Sequence, residues 1–277
     1  MTETLNILET YDRPAPFGST RWAHRLAESY QRAFLDRNAK IGDPGFVAVP
    51  QEELTSKTYA QGLRATIDES RHTPTRELAV ANGAGMHTTH YSVVDAIGNA
   101  VAVTTTLNGG FGSGVWVRGA GFFLNNEMDD FAARPGSPNM FGLVQGEQNA
   151  IAPGKRMLSA MTPTIVLDSA GQVLLVVGGA GGPTIITGTS QVILNVIDYR
   201  MSIADAMRAP RLHHQSLPDS LLFERGGMAD AVADSLRAMG HGLIPVRALV
   251  DINAIMRVRS GWEGVPEPRS RGGAVGY

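Results

Sequence analysis

The sequence predicts a mixed α and β fold with hairpins, and three observations carry that prediction. Residues 20–36 repeat Trp22, Leu26, Tyr30, Ala33 and Phe34 at three-to-four spacing with Arg and Glu between them, the period of an amphipathic helix. Residues 86–106 hold two β-rich runs around Gly98-Asn99, the pattern of an antiparallel hairpin. Residues 173–199 read as a strand, a group of glycines and then a helix.

The chain has 277 residues, enough for a substantial core in one or two domains. Hydrophobic residues make up 43% and charged residues 18%, with a net charge of −2. That balance argues against disorder and against a polybasic nucleic-acid surface. There is no cysteine, which excludes a disulfide frame, a thiolate nucleophile and cysteine-ligated metal. No apolar run is long enough to span a bilayer, and the polar start Met1-Thr2-Glu3-Thr4 has no signal-peptide core.

The helix over residues 20–36 ends before Gly42-Asp43-Pro44, which breaks the chain. Phe46 to Val49 is a short extended piece. Pro50 then opens a second helix, with Glu52 and Glu53 in its first turn and Leu54, Tyr59, Leu63 and Ile67 on its apolar side. From Asp68 onward the pattern dissolves, so residues 68–87 are expected to form an exposed processing linker. After the hairpin, Leu107 to Gly114 is glycine-rich but lacks the spacing of a phosphate loop. Val115–Val117 and Phe122–Leu124 are short strands. The loop from Pro135 to Gly154 is long enough for a lid. Strands follow at Thr164–Leu167 and Val173–Val177, then Gly178 to Pro183 and a helix from Thr184 to Tyr199. Ser202 caps a short helix through Met207. Arg211–His214 and Leu221–Glu224 are extended, Ala229–Met239 is an amphipathic helix, and Leu243–Val246 and Ile252–Val258 are late strands.

The hairpin carries the sharpest chemical reading. A rigid strand begins at Thr88, directly after the loose segment Ala79 to Gly85. Cleavage of His87-Thr88 would give Thr88 a hydroxyl nucleophile and a free α-amino group. A threonine hydroxyl needs an adjacent base, and an α-amino group with a reference pKa of about 7.7–8.0 is one. Before cleavage the same hydroxyl can attack the preceding carbonyl, shifting the acyl group from N to O. The plain alternative is that Thr88 and Thr89 favour a strand because they are β-branched.

Other constellations carry two readings each. Glu127 and Asp130, three apart at a strand end, could grasp one ammonium group or form a solvated acidic surface. Ser159 after Lys155-Arg156 could bind a carboxylate or serve turn chemistry. Gly181-Gly182 before a helix could hold an oxyanion or make a tight turn. His90 points to the same strand face as Thr88 and could tune that nucleophile, but reads first as a buried structural histidine. The pair His213-His214 lacks a third ligand at sensible spacing, so no metal site is expected.

In collinear order these motifs resemble the γ-glutamyltransferases, the glutathione-processing members of the N-terminal-nucleophile hydrolases. The resemblance rests on Thr88 to Asp95, Thr106-Leu107-Asn108, Leu124 to Phe131, Lys155-Arg156 through Thr164, Gly181-Gly182 and Ala209 to Gln215. Gly42-Asp43-Pro44 and the tail at Pro268-Arg269-Ser270 and Gly276-Tyr277 extend it over nearly the whole chain. It implies a four-layer αββα sandwich, incomplete here because the family's large subunit is much longer than the segment before Thr88. Residues 1–87 would be the end of the large-subunit region and 88–277 the small-subunit catalytic region.

The resemblance implies Thr88 as nucleophile after autocleavage, Thr106 as its assistant, and Gly181 and Gly182 as the oxyanion hole. Asn108, Glu127, Asp130 and Ser159 would bind the amino and carboxyl end of a γ-glutamyl group, and Pro135 to Gly146 would be the lid. The implied activity is γ-glutamyl transfer from glutathione to amino acids, peptides or water, with no cofactor. The implied assembly is a heterodimer of large and small subunits, with no nucleic-acid or membrane partner, in the periplasm or outside the cell. Three departures stand out: Ala160 replaces a second carboxylate-binding serine, Phe141 stands where some members carry tyrosine, and the large-subunit arginine that grips the substrate carboxylate is missing. Two other readings remain, a β-lactam side-chain acylase and a fragment that works only with a separate N-terminal half.

Overall fold

The computed structural model describes residues 1–75 and 88–276. Among these the helices are α1 (Thr2–Glu9), α2 (Thr20–Lys40), α3 (Gln51–Leu54), α4 (Lys57–Ala65), α5 (Thr184–Ile197), α6 (Ile203–Arg208) and α7 (Asp230–Ala238). The strands are β1 (Thr88–Val94), β2 (Ala100–Thr106), β3 (Trp116–Val117), β4 (Phe122–Phe123), β5 (Thr164–Leu167) and β6 (Val173–Ala180). They continue with β7 (Leu212–His213), β8 (Leu221–Glu224), β9 (Leu243–Val246), β10 (Asp251–Val258) and β11 (Gly261–Val265). The fold is mixed α and β, in two compact units. The first holds residues 1–75, Glu127–Ser159 and Leu212–Arg247, and the second holds 88–Asn126, Ala160–Arg211 and Ala248–276.

In the first unit α2 is the long element. The Ser19 hydroxyl accepts from the Trp22 amide at 3.2 Å, capping its start. Trp22, Leu26, Tyr30 and Phe34 are buried along one stripe, as the spacing predicts. The helix runs to Lys40, four residues past the predicted end, with Arg37 and Lys40 in the last turn where the dipole favours cations. Phe46 to Val49 is not a strand, because the Asp43 carbonyl takes the Phe46 and Val47 amides at 2.9 and 3.0 Å and curls the chain. The single helix predicted after Pro50 is two. Ser56 is extended and its hydroxyl caps α4 by accepting from the Tyr59 amide at 3.1 Å. Helix α1, absent from the sequence reading, docks through Ile7 onto Ala60, Ile67 and Leu63.

The expected linker divides. Residues 76–87 lie outside the described residues. Residues 68–75 are tied down: Gln31 Nε2 donates to the Thr73 carbonyl at 2.7 Å, and the Thr73 and Thr75 amides donate to the carboxylates of Glu28 and Asp219. A sheet of order β7-β8-β9 completes the unit, antiparallel and then parallel.

In the second unit β1 and β2 form the predicted hairpin, in register from Thr88↔Thr106 to Val94↔Ala100. Its turn is held by Asp95, whose Oδ1 accepts from the Ile97 and Asn99 amides, and by Gly98 at φ 92°. A second, antiparallel sheet has the order β11-β10-β6-β5. Strand β6 runs past the predicted Val177 to Ala180, because β10 continues to pair with it through Asp251↔Ala180. Gly178 and Gly179 are therefore strand residues facing opposite sides. A Cβ on Gly178 would meet the His90 ring of β1, whereas one on Gly179 would meet Ile252 Cδ1, which also adjoins Gly188 of α5. The hairpin thus covers one face of this sheet and α5 the other. The apolar side of α5, including Ile185, Val192 and Val196, is buried as predicted.

Candidate active site

Thr88 opens β1, and its partner across the ladder is Thr106. The Thr88 hydroxyl donates to the Thr106 hydroxyl at 3.2 Å. Thr106 Oγ1 also accepts from the Asn108 amide at 2.8 Å. Asn108 is buried and sits at φ 72°, a left-handed position that asparagine tolerates. Its Nδ2 donates to the Asn126 carbonyl at 3.2 Å, and Asn126 Oδ1 accepts from Gly109 at 2.7 Å. The glycine-rich loop after β2 is thereby fastened to the segment that leads to Glu127. The bond His87-Thr88 itself involves a residue outside those described.

His90 is a buried structural residue. It is 4% exposed, with Nδ1 at 2.8 Å from Thr104 Oγ1 and Nε2 at 3.1 Å from Ser92 Oγ. Burial pulls its pKa down to about 4, so the ring is neutral and anchors β1 rather than serving as a base.

Gly181 and Gly182 lie between the end of β6 and the start of α5, with Pro183 at the cap position. Gly182 is left-handed at φ 57°. A side chain at Gly181 would press on Thr184 Oγ1, which donates to the carbonyls of Gly181 and Leu249 at 2.7 and 2.6 Å. Among the described residues no turn or loop hydrogen bond uses the amide N–H of either glycine. Two unspent donors at a helix start suit a developing negative charge.

The acidic residues belong to the first unit. Glu127 to Asp130 is one turn of 3₁₀ helix, which replaces the expected strand end. Burial pushes the Glu127 carboxyl up. Asp130 is pushed up to about 7 by burial, reinforced by the charges of Glu127 and Asp129 and opposed by Arg37. Ser159 lies beside the same arginine: Arg37 Nη2 donates to the Leu158 and Ser159 carbonyls at 3.4 and 3.3 Å. Arg37 is buried, and its pKa falls to about 10 through burial, with Asp130 opposing the fall. The sequence reading missed Arg37, although it lies seven after Tyr30 and three after Phe34 on the buried stripe. A cation on an apolar stripe was the available signal.

The structure therefore brings Thr88, Thr106 and Asn108 into one hydrogen-bonded group, in the same unit as Gly181 and Gly182. In the other unit it sets Asp130 and the Ser159 carbonyl beside Arg37, with the Glu127 charge acting on Asp130. The expected lid is a set of tight turns. The Asn139 side chain accepts from the Phe141 and Leu143 amides at 3.1 Å, and the Phe141 carbonyl accepts from Gln215 at 2.9 Å. His213 packs edge-on to Phe34 and bonds to Gln215, while His214 turns toward Asp219.

A family model described as gamma-glutamyltranspeptidase matches residues 1–277. The glutathione hydrolase proenzyme of Escherichia coli K12 is 44% identical over 275 residues, 98% of this chain and 47% of that protein. A solved mutant of Helicobacter pylori gamma-glutamyltranspeptidase is 51% identical, with a TM-score of 0.64, and covers 66% of this chain and 100% of that one. The cephalosporin acylase of Bacillus halodurans aligns at a TM-score of 0.79 and 26% identity, over 98% of this chain and 48% of that one. The chain spans about half the length of the curated relatives it matches. From the threonine at the head of β1 to the glycines ahead of α5, the match takes in every candidate residue, and the chain belongs to the gamma-glutamyltranspeptidase family.

Proposed function

We propose that this chain is the nucleophile-bearing part of a γ-glutamyl transferase and glutathione hydrolase that matures by cutting itself at His87-Thr88. The observation that carries the reading is the Thr88 hydroxyl at the start of a strand, 3.2 Å from the Thr106 hydroxyl. In maturation Thr88 Oγ1 attacks the His87 carbonyl carbon, the C–N bond breaks to free the Thr88 amine, and water hydrolyses the resulting ester to release the Thr88 hydroxyl and a carboxylate on His87. In turnover the same oxygen attacks the γ-carbonyl of the donor, and the Gly181 and Gly182 amides take up the oxyanion. The leaving amine accepts a proton as the tetrahedral species collapses to a γ-glutamyl ester. Water or an amino-acid amine then resolves that ester.

Glu127 and Asp130 suit an α-ammonium group, whose positive charge would favour the ionised form of both. Arg37 and Ser159 support the carboxylate end. In this reading the layers complete a four-layer αββα sandwich together with polypeptide corresponding to the half of the relatives that this chain does not span. The mature form is a heterodimer, and the setting is periplasmic or extracellular. The decisive test is Thr88→Ala. It should abolish both the mass change of self-cleavage and amine release from a γ-glutamyl anilide, measured with and without the N-terminal half of a relative supplied in trans. Continued cleavage at His87-Thr88 in that variant would sink the reading.

A second reading, a side-chain acylase, draws on the likeness to the cephalosporin acylase and on Ala160. Without a second serine hydroxyl, one hydrogen bond to a substrate carboxylate, worth about 1.5–3 kcal/mol, is absent. Faster turnover of a glutaryl than of a γ-glutamyl anilide would favour it.

A further inference from the structure

Four of the seven histidines converge in the first unit, none of them among the candidate active-site residues. His24, Glu28 and His241 present one potential ligand atom each, all within 4.8 Å of one another, and so do His72, His214 and Asp219. The hydrogen bonds decide which set has lone pairs to give. The Ser216 amide donates to His214 Nδ1 at 3.1 Å, so the proton of His214 sits on Nε2, facing Asp219. His72 has a carboxylate oxygen on each ring nitrogen, Glu28 at 2.7 Å and Asp219 at 3.0 Å, so both nitrogens carry protons. That triad is a closed ion-pair network with no imidazole lone pair to offer.

The other triad differs. His24 Nε2 lies 2.8 Å from the Asp68 carbonyl and must donate to it, which leaves Nδ1 as a bare lone pair. His241 Nε2 is 2.8 Å from that lone pair, so a single proton lies between the two rings. The other His241 nitrogen, Nδ1, is buried without a hydrogen-bond partner. Glu28 is one helical turn beyond His24 on α2 and shares its face. All three side chains are buried. The bond from His24 Nε2 to a backbone carbonyl is the outer-shell contact that fixes a metal-ligating histidine.

We propose that His24 Nδ1, His241 Nε2 and the Glu28 carboxylate form a binding site for a zinc-like divalent cation. The ion replaces the proton held between the two imidazoles, and that proton moves to His241 Nδ1. With zinc–nitrogen bonds of about 2.0–2.1 Å in a tetrahedral field, the rings need to part by only about half an ångström. Two neutral nitrogens and one carboxylate suit zinc or cobalt rather than magnesium or calcium, which prefer oxygen. Glu28 already accepts from Arg32 at 2.7 Å and from His72, so the ion enters a charged, pre-bonded cluster and acts as a staple between α2 and the end of α7. Because the site is buried, binding is coupled to folding.

The test uses the full chain, stripped with a chelator and dialysed. Zinc should bind as a single ion per chain and raise the melting temperature by several degrees, while magnesium leaves it unchanged. Cobalt(II) should give the visible bands of a four-coordinate site. His24→Ala and His241→Ala should each lose those bands, and His214→Gln should keep them. If the alanine variants fail to fold, zinc-edge X-ray absorption on the unmodified chain decides, with two imidazole rings expected. Absence of stoichiometric binding, bands that survive both alanine variants, bands lost with His214→Gln, or a shell without imidazole overturns the site.

Discussion

Gly178→Ala should unseat the strand that carries Thr88. A methyl group there would lie 2.5 Å from His90 Nδ1 and 2.9 Å from Nε2, nearer still to Cε1. Optimal non-bonded separations are about 3.5–4.0 Å, so something must move by about 1 Å. The ring has little freedom to yield, because Thr104 and Ser92 hold its two nitrogens and Asn253 Nδ2 donates to the His90 carbonyl at 2.9 Å. Two hydrogen bonds at about 0.5–1.5 kcal/mol each, plus about 1–3 kcal/mol for overpacking, give a cost of about 2–6 kcal/mol. Urea unfolding should show a lower midpoint at unchanged slope. In a His90→Ala background the clash partner is gone, so the same substitution should cost less than about 1 kcal/mol. Equal costs in the two backgrounds, or a negligible cost in the unmodified chain, would refute the close approach of β1 and β6. Since Thr88 is two residues from His90 on the same face, self-cleavage should slow in Gly178→Ala and not merely the melting temperature fall.

Other outcomes follow from single contacts. Asp130 has a folded pKa of about 7 against an ordinary 3.8, so the folded state holds the extra proton and stability falls as pH rises through that window. Asp130→Asn should therefore be more stable at pH 8, by up to about 4 kcal/mol, and its melting temperature should depend less on pH; parallel curves from pH 5 to 8 would contradict this. Glu267→Ala strands the buried guanidinium of Arg211, which now pairs at 2.8 Å, and should cost about 3–5 kcal/mol in denaturant unfolding. Thr106→Val removes the acceptor of both the Thr88 hydroxyl and the Asn108 amide, and should leave the chain folded while slowing cleavage about tenfold by mass spectrometry; Thr106→Ser should restore it.

Much of the architecture was legible because it is local. The stripe of α2, the alternation of the hairpin, the serine cap of α6 and the apolar side of α5 all arise from residues within one or two turns of each other. The sequence reading failed where a neighbour overrode the local pattern. Ser56 split one expected helix, and β10 drew β6 past its apolar run. It missed α1, whose buried contact rests mainly on Ile7, and β11, which forms by pairing with β10. At the candidate site Thr88 and Thr106 were placed by hairpin register, 18 residues apart.

The sequence by itself determined that Thr88 lies on the first strand of a hairpin and that glycines precede α5. Period, turn chemistry and capping are set by adjacent side chains. Only the tertiary structure decided the electrostatics. Arg37 meets the Ser159 carbonyl across 122 residues and His24 meets His241 across 217. The shifted carboxyl of Asp130 and the lone pair of His24 result from burial and from partners distant in sequence, because the cost of removing a charge or a polar atom from water depends on what surrounds it in space.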